Sequence, residues 1–187
     1  INQNFKYLKN FIRLHQVNEV DGIIADLGVS SHQFDQAERG FSTRFSAPLD
    51  MRMNKNQPFT AATVVNSYSE EKLNTVFRLY GELKNSFQIT KVIVNKRELA
   101  PIQTTGELVE AVEKCFPPHK KNKFLAMLFQ ALRIEVNDEL GALKEMLTQS
   151  LEILKVGGRL VVISYHSLED RLVKNFIKTG NFEGVPV

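Results

Sequence analysis

Two strand-sized apolar runs, one near each end of the chain, bracket a long stretch in which every apolar pattern is helical. The first comprises Val20, Ile23, Ile24 and Ala25 and ends at Asp26; the second is Leu160 to Ser164. Strands so far apart in sequence do not pair as a hairpin, and a right-handed crossover between them makes them parallel. The expected fold class is therefore α/β, with helices covering the sheet and both strands ending at one rim.

Between the strands the spacing is that of helices. Phe5, Leu8, Phe11 and Ile12 predict a helix over about residues 4–15. Ser69 is placed to cap a helix carrying Leu73, Val76, Phe77 and Tyr80, with Gly81 as its stop, and another helix follows through Ile89, Val92 and Ile93. Thr104 and Glu107 have capping-box spacing ahead of Leu108, Val112, Cys115 and Phe116, and Pro117 and Pro118 end that stripe. No strand is expected between Pro58 and Pro118. Phe124, Leu128, Ala131 and Leu132 line one later helix, and Leu140, Leu143, Met146, Leu147, Leu151 and Leu154 line the next. Gly157 with Gly158 is the expected stop before the second strand, and Ser167 and Asp170 the caps of a last helix. The all-helical middle reads as an insertion, giving a first core segment over 1–52, a helical insert over 53–122 and a second core segment over 123–187.

Composition narrows the classes. A chain of 187 residues, 43% of them hydrophobic, buries a sizeable core. The longest apolar stretch is strand-sized, and INQNFKYLKN at the amino end has no signal-peptide pattern, so no membrane is expected and a cytoplasmic location follows by default. Cys115 is the single cysteine, and the four His have no ligand spacing, so no metal is expected. A net charge of +3 and a pI near 9.0 suit a polyanionic partner. Local density is more telling: His119, Lys120, Lys121 and Lys123 cluster around Asn122, although a merely solvated surface has the same composition. No feature of the sequence sets an oligomeric state.

The strand ends carry the candidate chemistry. Asp26 is followed by Gly28, Ser30, Ser31 and Gln33, a polar rim where ligands of open α/β sheets bind. A strand-end Asp also caps turns, and spacing alone leaves both readings open. The second strand delivers Ser164 to His166 to the same crevice. An Asp26/His166 acid–base pair would suit a hydrolase, but no oxyanion site or GxSxG elbow accompanies it.

Three blocks then carry a resemblance: DGIIADLGVSSHQFDQAERGFSTRFSAPLDMRM from Asp21 to Met53, FQALRIEVNDEL from Phe129 to Leu140, and GGRLVVISYHSLEDRLVK from Gly157 to Lys174. In that order they resemble the RsmH (MraW) family of S-adenosylmethionine-dependent ribosomal RNA methyltransferases. The resemblance implies a Rossmann-like class I methyltransferase core, here partial, with an inserted all-helical subdomain. It implies methyl transfer from S-adenosylmethionine to the N4 amine of a cytidine in small-subunit (16S-type) ribosomal RNA. Phe5, Asp26 and Gln33 match positions that contact the cofactor, and Asp26 and His166 are the catalytic candidates. Arg39, Arg44, Arg52, Arg133 and Asn137 lie in the blocks with Glu169 and Asp170; the first five join Lys120, Lys121 and Lys123 as RNA-binding candidates. The family's GGH loop has no counterpart here, so a chain truncated at the amino end, with an incomplete cofactor site, is expected. The alternative is a non-catalytic RNA-binding or ribosome-assembly protein that keeps the fold without cofactor.

Overall fold

The computed structural model describes residues 3–30, 33 and 35–186. The chain divides into two compact units, one of Ile1–Gly28 with Asp138–Val187 and one of Val29–Asn137.

The first unit holds the sheet. A short 3-10 turn, Phe5–Tyr7, capped by the Asn4 side chain, leads into α1 (Leu8–Leu14), so the expected 4–15 helix is split. Strand β1 (Val20–Asp26) lies where its apolar run predicts and pairs in parallel with β2 (Leu154–Ile163), Ile23 opposite Leu160 and Asp26 opposite Ile163. Strand β2 begins earlier than expected. Leu154, assigned above to the end of a helix face, opens the strand, and the pairing is irregular between Val20 and Gly22, opposite residues 154 and 159. Gly157 and Gly158 are the reason. Gly157 has φ +83°, and a Cβ at Gly158 would lie 2.9 Å from the Lys155 carbonyl oxygen, so the pair serves a bulge inside β2 rather than a helix stop.

Leu27, Leu143, Met146, Leu147 and Phe176 form the core of this unit, with Ala25, Leu160 and Val162 packed against it. Two helices, Glu139–Ile153 and Ser167–Thr179, supply the side chains that cover this face of the sheet. Side chains alternate along a strand, so Ile24, Val161 and Ile163 share the opposite face, where Ile24 is 78% exposed.

The second unit is helical: α2 (Ala61–Ser67), α3 (Glu70–Leu79), α4 (Ser86–Leu99), α5 (Thr105–Val112) and α6 (Lys121–Asn137). The helices of the first unit that follow are α7 (Glu139–Ile153) and α8 (Ser167–Thr179). Ser69 and the Thr104/Glu107 box cap as their spacing predicts, and Thr60 with Thr63 forms a further box. Among the described residues no strand falls between Pro58 and Pro118. Val64, Leu73, Phe77, Ile89, Ile93, Leu108, Leu128 and Leu132 are buried together, each worth about 1.5–3 kcal/mol of transfer free energy. Phe41, Leu49 and Met51 join that core. The units thus divide at Gly28/Val29 and Asn137/Asp138, where the sequence suggests boundaries at 53 and 123, because Phe41, Leu49, Met51 and the buried face of α6 pack with the helices. No helix among the described residues is long and apolar enough to cross a membrane.

Candidate active site

The parallel register brings the ends of β1 and β2 side by side. The ladder runs one step further, because the Leu27 N–H donates to the Ile163 carbonyl at 3.1 Å. Just beyond it, the Tyr165 hydroxyl donates to Asp26 Oδ1 at 2.7 Å. The Asp26 carboxylate in turn pushes the Tyr165 phenol up, by accepting its hydrogen bond and by its charge. Gly28 takes φ +86°, and a Cβ there would meet the Tyr165 ring at 3.5 Å, so the ring lies over the turn that follows Asp26.

Tyr165 is anchored from behind. Its N–H donates to Glu169 Oε2 at 2.9 Å, and Glu169 is only 3% exposed. The other carboxylate oxygen lies 3.2 Å from His166 Nε2, and the His166 side chain is 8% exposed. His166 is also the N-cap of α8, where its Nδ1 accepts from the Glu169 N–H at a long 3.5 Å. Ser167 and Asp170 were the expected caps, but Ser167 already lies in the first helical turn and Asp170 pairs with Lys174 at 2.7 Å. His166 is therefore buried against Glu169, whereas Asp26 is exposed.

Among the described residues, one group could hold a metal. Ligand atoms of Glu139, His166 and Glu169 lie within 4.8 Å of one another. An Nδ1 that accepts a hydrogen bond leaves the ring proton on Nε2, however, so a cation would have to displace that proton and the cap together. The spacing of the four His could not reveal this group, because Glu139 enters it from a separate helix.

The cofactor candidates are placed as follows. Phe5 stands 40% exposed at the start of a hollow of about 300 Å³ that runs beside α1, past Leu8, Phe11 and Ile12, to Val20. In the helical unit, the Gln33 side-chain oxygen accepts from the Ser30 N–H at 3.1 Å and the Gln33 N–H donates to Ser30 Oγ at 3.2 Å, a reciprocal pair. Ser31 lies outside the described residues.

The RNA candidates, all in the helical unit, divide sharply. Arg39 is 8% exposed, and its Nη2 donates to the carbonyls of Arg52 and Met53 at 2.7 and 3.2 Å. Arg52 forms a bidentate pair with Asp50 (2.7 and 2.9 Å) and also donates to the carbonyls of Lys55 and Gln57. Asn137 accepts from the Met53 N–H at 2.7 Å and donates to the carbonyls of Met51 and Arg133 at 2.8 Å. Lys121 pairs with Glu113 at 2.5 Å. Arg44, Lys120 and Lys123 are exposed. Arg133 lines a hollow of about 220 Å³ with Phe41, Met51, Phe129 and Gln130. Tyr165 is the functional candidate that sequence reasoning passed over: it lay inside the Ser164–His166 strand end, and only the pairing of the strands shows that it meets Asp26.

Comparisons with known proteins come down on one family. The MraW methylase family matches residues 1–187, the whole chain. The chain is 60% identical over 184 residues to a Bacteroides fragilis protein named ribosomal RNA small subunit methyltransferase H, covering 98% of this chain and 60% of that one. A Flavobacterium johnsoniae protein of the same name is 59% identical over 186 residues, covering 100% of this chain and 62% of its own length. A Parabacteroides distasonis counterpart is 58% identical over 185 residues, with 98% and 61% covered. The chain thus spans about three-fifths of the length of the curated relatives it matches.

Proposed function

The chain belongs to the MraW methylase family, and from that premise we propose that the whole protein transfers a methyl group from S-adenosylmethionine to the N4 amine of a cytidine in small-subunit ribosomal RNA. The observation that carries the proposal is the placement of Asp26. Its carboxylate ends β1 at the junction of two parallel strands, with one oxygen accepting from Tyr165. The sheet-bearing unit is read as part of a Rossmann-like methyltransferase core, and the helical unit as its RNA-recognising insert.

The residues present fit one side of such a cofactor. An anionic rim residue complements a sulfonium and an amino group, Gly28 turns the backbone at positive φ beside it, and Phe5 offers an exposed aromatic face. When bound, S-adenosylmethionine supplies an electrophilic methyl on a positively charged sulfur. The chain's own task is alignment and charge. Asp26 orients a donor group of the ligand; accepting an N–H of the exocyclic amine would turn its lone pair out of conjugation and lower the cost of its becoming cationic. Phe5 would flank the cofactor, and in the helical unit the exposed cations Arg44, Lys120 and Lys123 would meet RNA phosphates.

The test is transfer of labelled methyl by the whole protein to small-subunit RNA or particles, followed by nucleoside analysis. N4-methylcytidine is the expected product. Label in another nucleoside would overturn the assignment, and tight RNA binding without any transfer would favour a non-catalytic assembly protein.

A further inference from the structure

We infer that Tyr165 is a positioning residue for the proposed reaction: its hydroxyl holds the Asp26 carboxylate in one orientation, so that Oδ2 is the oxygen offered to the ligand. The inference rests on methyl transfer at Asp26 as proposed above.

An aspartate at an exposed strand end is free to rotate about two side-chain bonds, and a carboxylate that must align a reacting amine loses rate when it is misplaced by a fraction of an ångström. Here the rotation is stopped. The Tyr165 hydroxyl donates to Oδ1 at 2.7 Å, a charge-assisted contact of the stronger kind. The tyrosine is itself fixed at both ends. Its ring lies over Gly28, and its N–H is held at 2.9 Å by Glu169, a carboxylate 3% exposed in the first turn of α8. A hydrogen-bonded path therefore runs from a buried helix start to a surface carboxylate. Core packing does not account for Tyr165, because the residue is 67% exposed.

The experiment uses the whole protein. Tyr165→Phe keeps the ring over Gly28 and removes only the hydroxyl. Its melting temperature should match wild type, while kcat/KM for methyl transfer falls about tenfold, the size of one charge-assisted hydrogen bond. Two readouts separate positioning from structure. In an Asp26→Ala background, adding Tyr165→Phe should change S-adenosylmethionine affinity by less than about twofold, because the hydroxyl acts through the carboxylate. With tyrosines labelled at the phenol carbon, the Tyr165 resonance should titrate at lower pH in Asp26→Ala than in wild type. An active wild type with unchanged kcat/KM in Tyr165→Phe overturns the inference alone, as does a Tyr165 titration indifferent to Asp26. A wild type without methyl transfer overturns the proposed function and this inference together.

Discussion

At the scale of residues, arginine shows why a site is harder to read than a fold. Arg39, Arg44 and Arg52 stand in one sequence block and look equivalent there. In the structure Arg44 is exposed, whereas Arg39 and Arg52 direct their guanidiniums at backbone carbonyls and at Asp50. Nothing in a single sequence tells whether an arginine faces a phosphate or a carbonyl, since both are oxygens in the same fork geometry. The Asp50–Arg52 pair carries a pH prediction. Burial pushes the Asp50 carboxyl up, but hydrogen bonds and charge from Arg52 and the charge of Arg39 outweigh it and leave the group below its ordinary value. A carboxyl lowered on folding stabilises the fold above its unfolded pKa, about 3.9, and that stabilisation is lost as pH falls through the folded value. Asp50→Asn should therefore lower the melting temperature by about 2–4 °C at pH 7, a small effect because the pair is partly solvated. The gap from wild type should close as melts are taken below about pH 4; a gap independent of pH would contradict the assignment.

At the scale of elements, strand β1 and most helices are legible because their signals are local: an apolar run, a cap, a stop. Misreadings occur where one residue type serves two purposes. Gly157 and Gly158 look like a helix stop yet accommodate a strand bulge, and His166 replaces Ser167 as the cap of α8 because its ring reaches the Glu169 N–H. The lysine cluster at the start of α6 behaves likewise. Lys121 is held by Glu113, which its charge and hydrogen bond keep below the usual carboxylate range, while Lys120 and Lys123 extend into solvent. In the whole protein, replacing Lys120 and Lys123 by Gln should weaken RNA binding and reduce the slope of log K against log salt by about 1–2, and Lys121→Gln should do less. Measured over several salt concentrations, an unchanged slope for the double variant would make these lysines a solvated surface and leave Arg44 and Arg133 to be tested.

At the scale of the molecule, the order of the three signature blocks pointed to the family, and the match over all 187 residues bears it out. The division into units was less legible. Boundaries at 53 and 123 assign the first signature block and the helix after Lys121 to the core segments, whereas Met51 and Leu128 are buried in the core of the helical unit, a long-range fact that periodicity does not encode. The central claim is that Asp26 serves ligand alignment at the strand ends rather than the fold, and one measurement tests it most directly: methyl transfer by the whole protein carrying Asp26→Ala, with circular dichroism on the same sample. The account predicts a native spectrum and melting curve with transfer reduced by about a hundredfold or more. An unfolded variant whose remaining folded molecules transfer methyl at the wild-type rate would contradict it, and Asp26 would then be a cap of its turn.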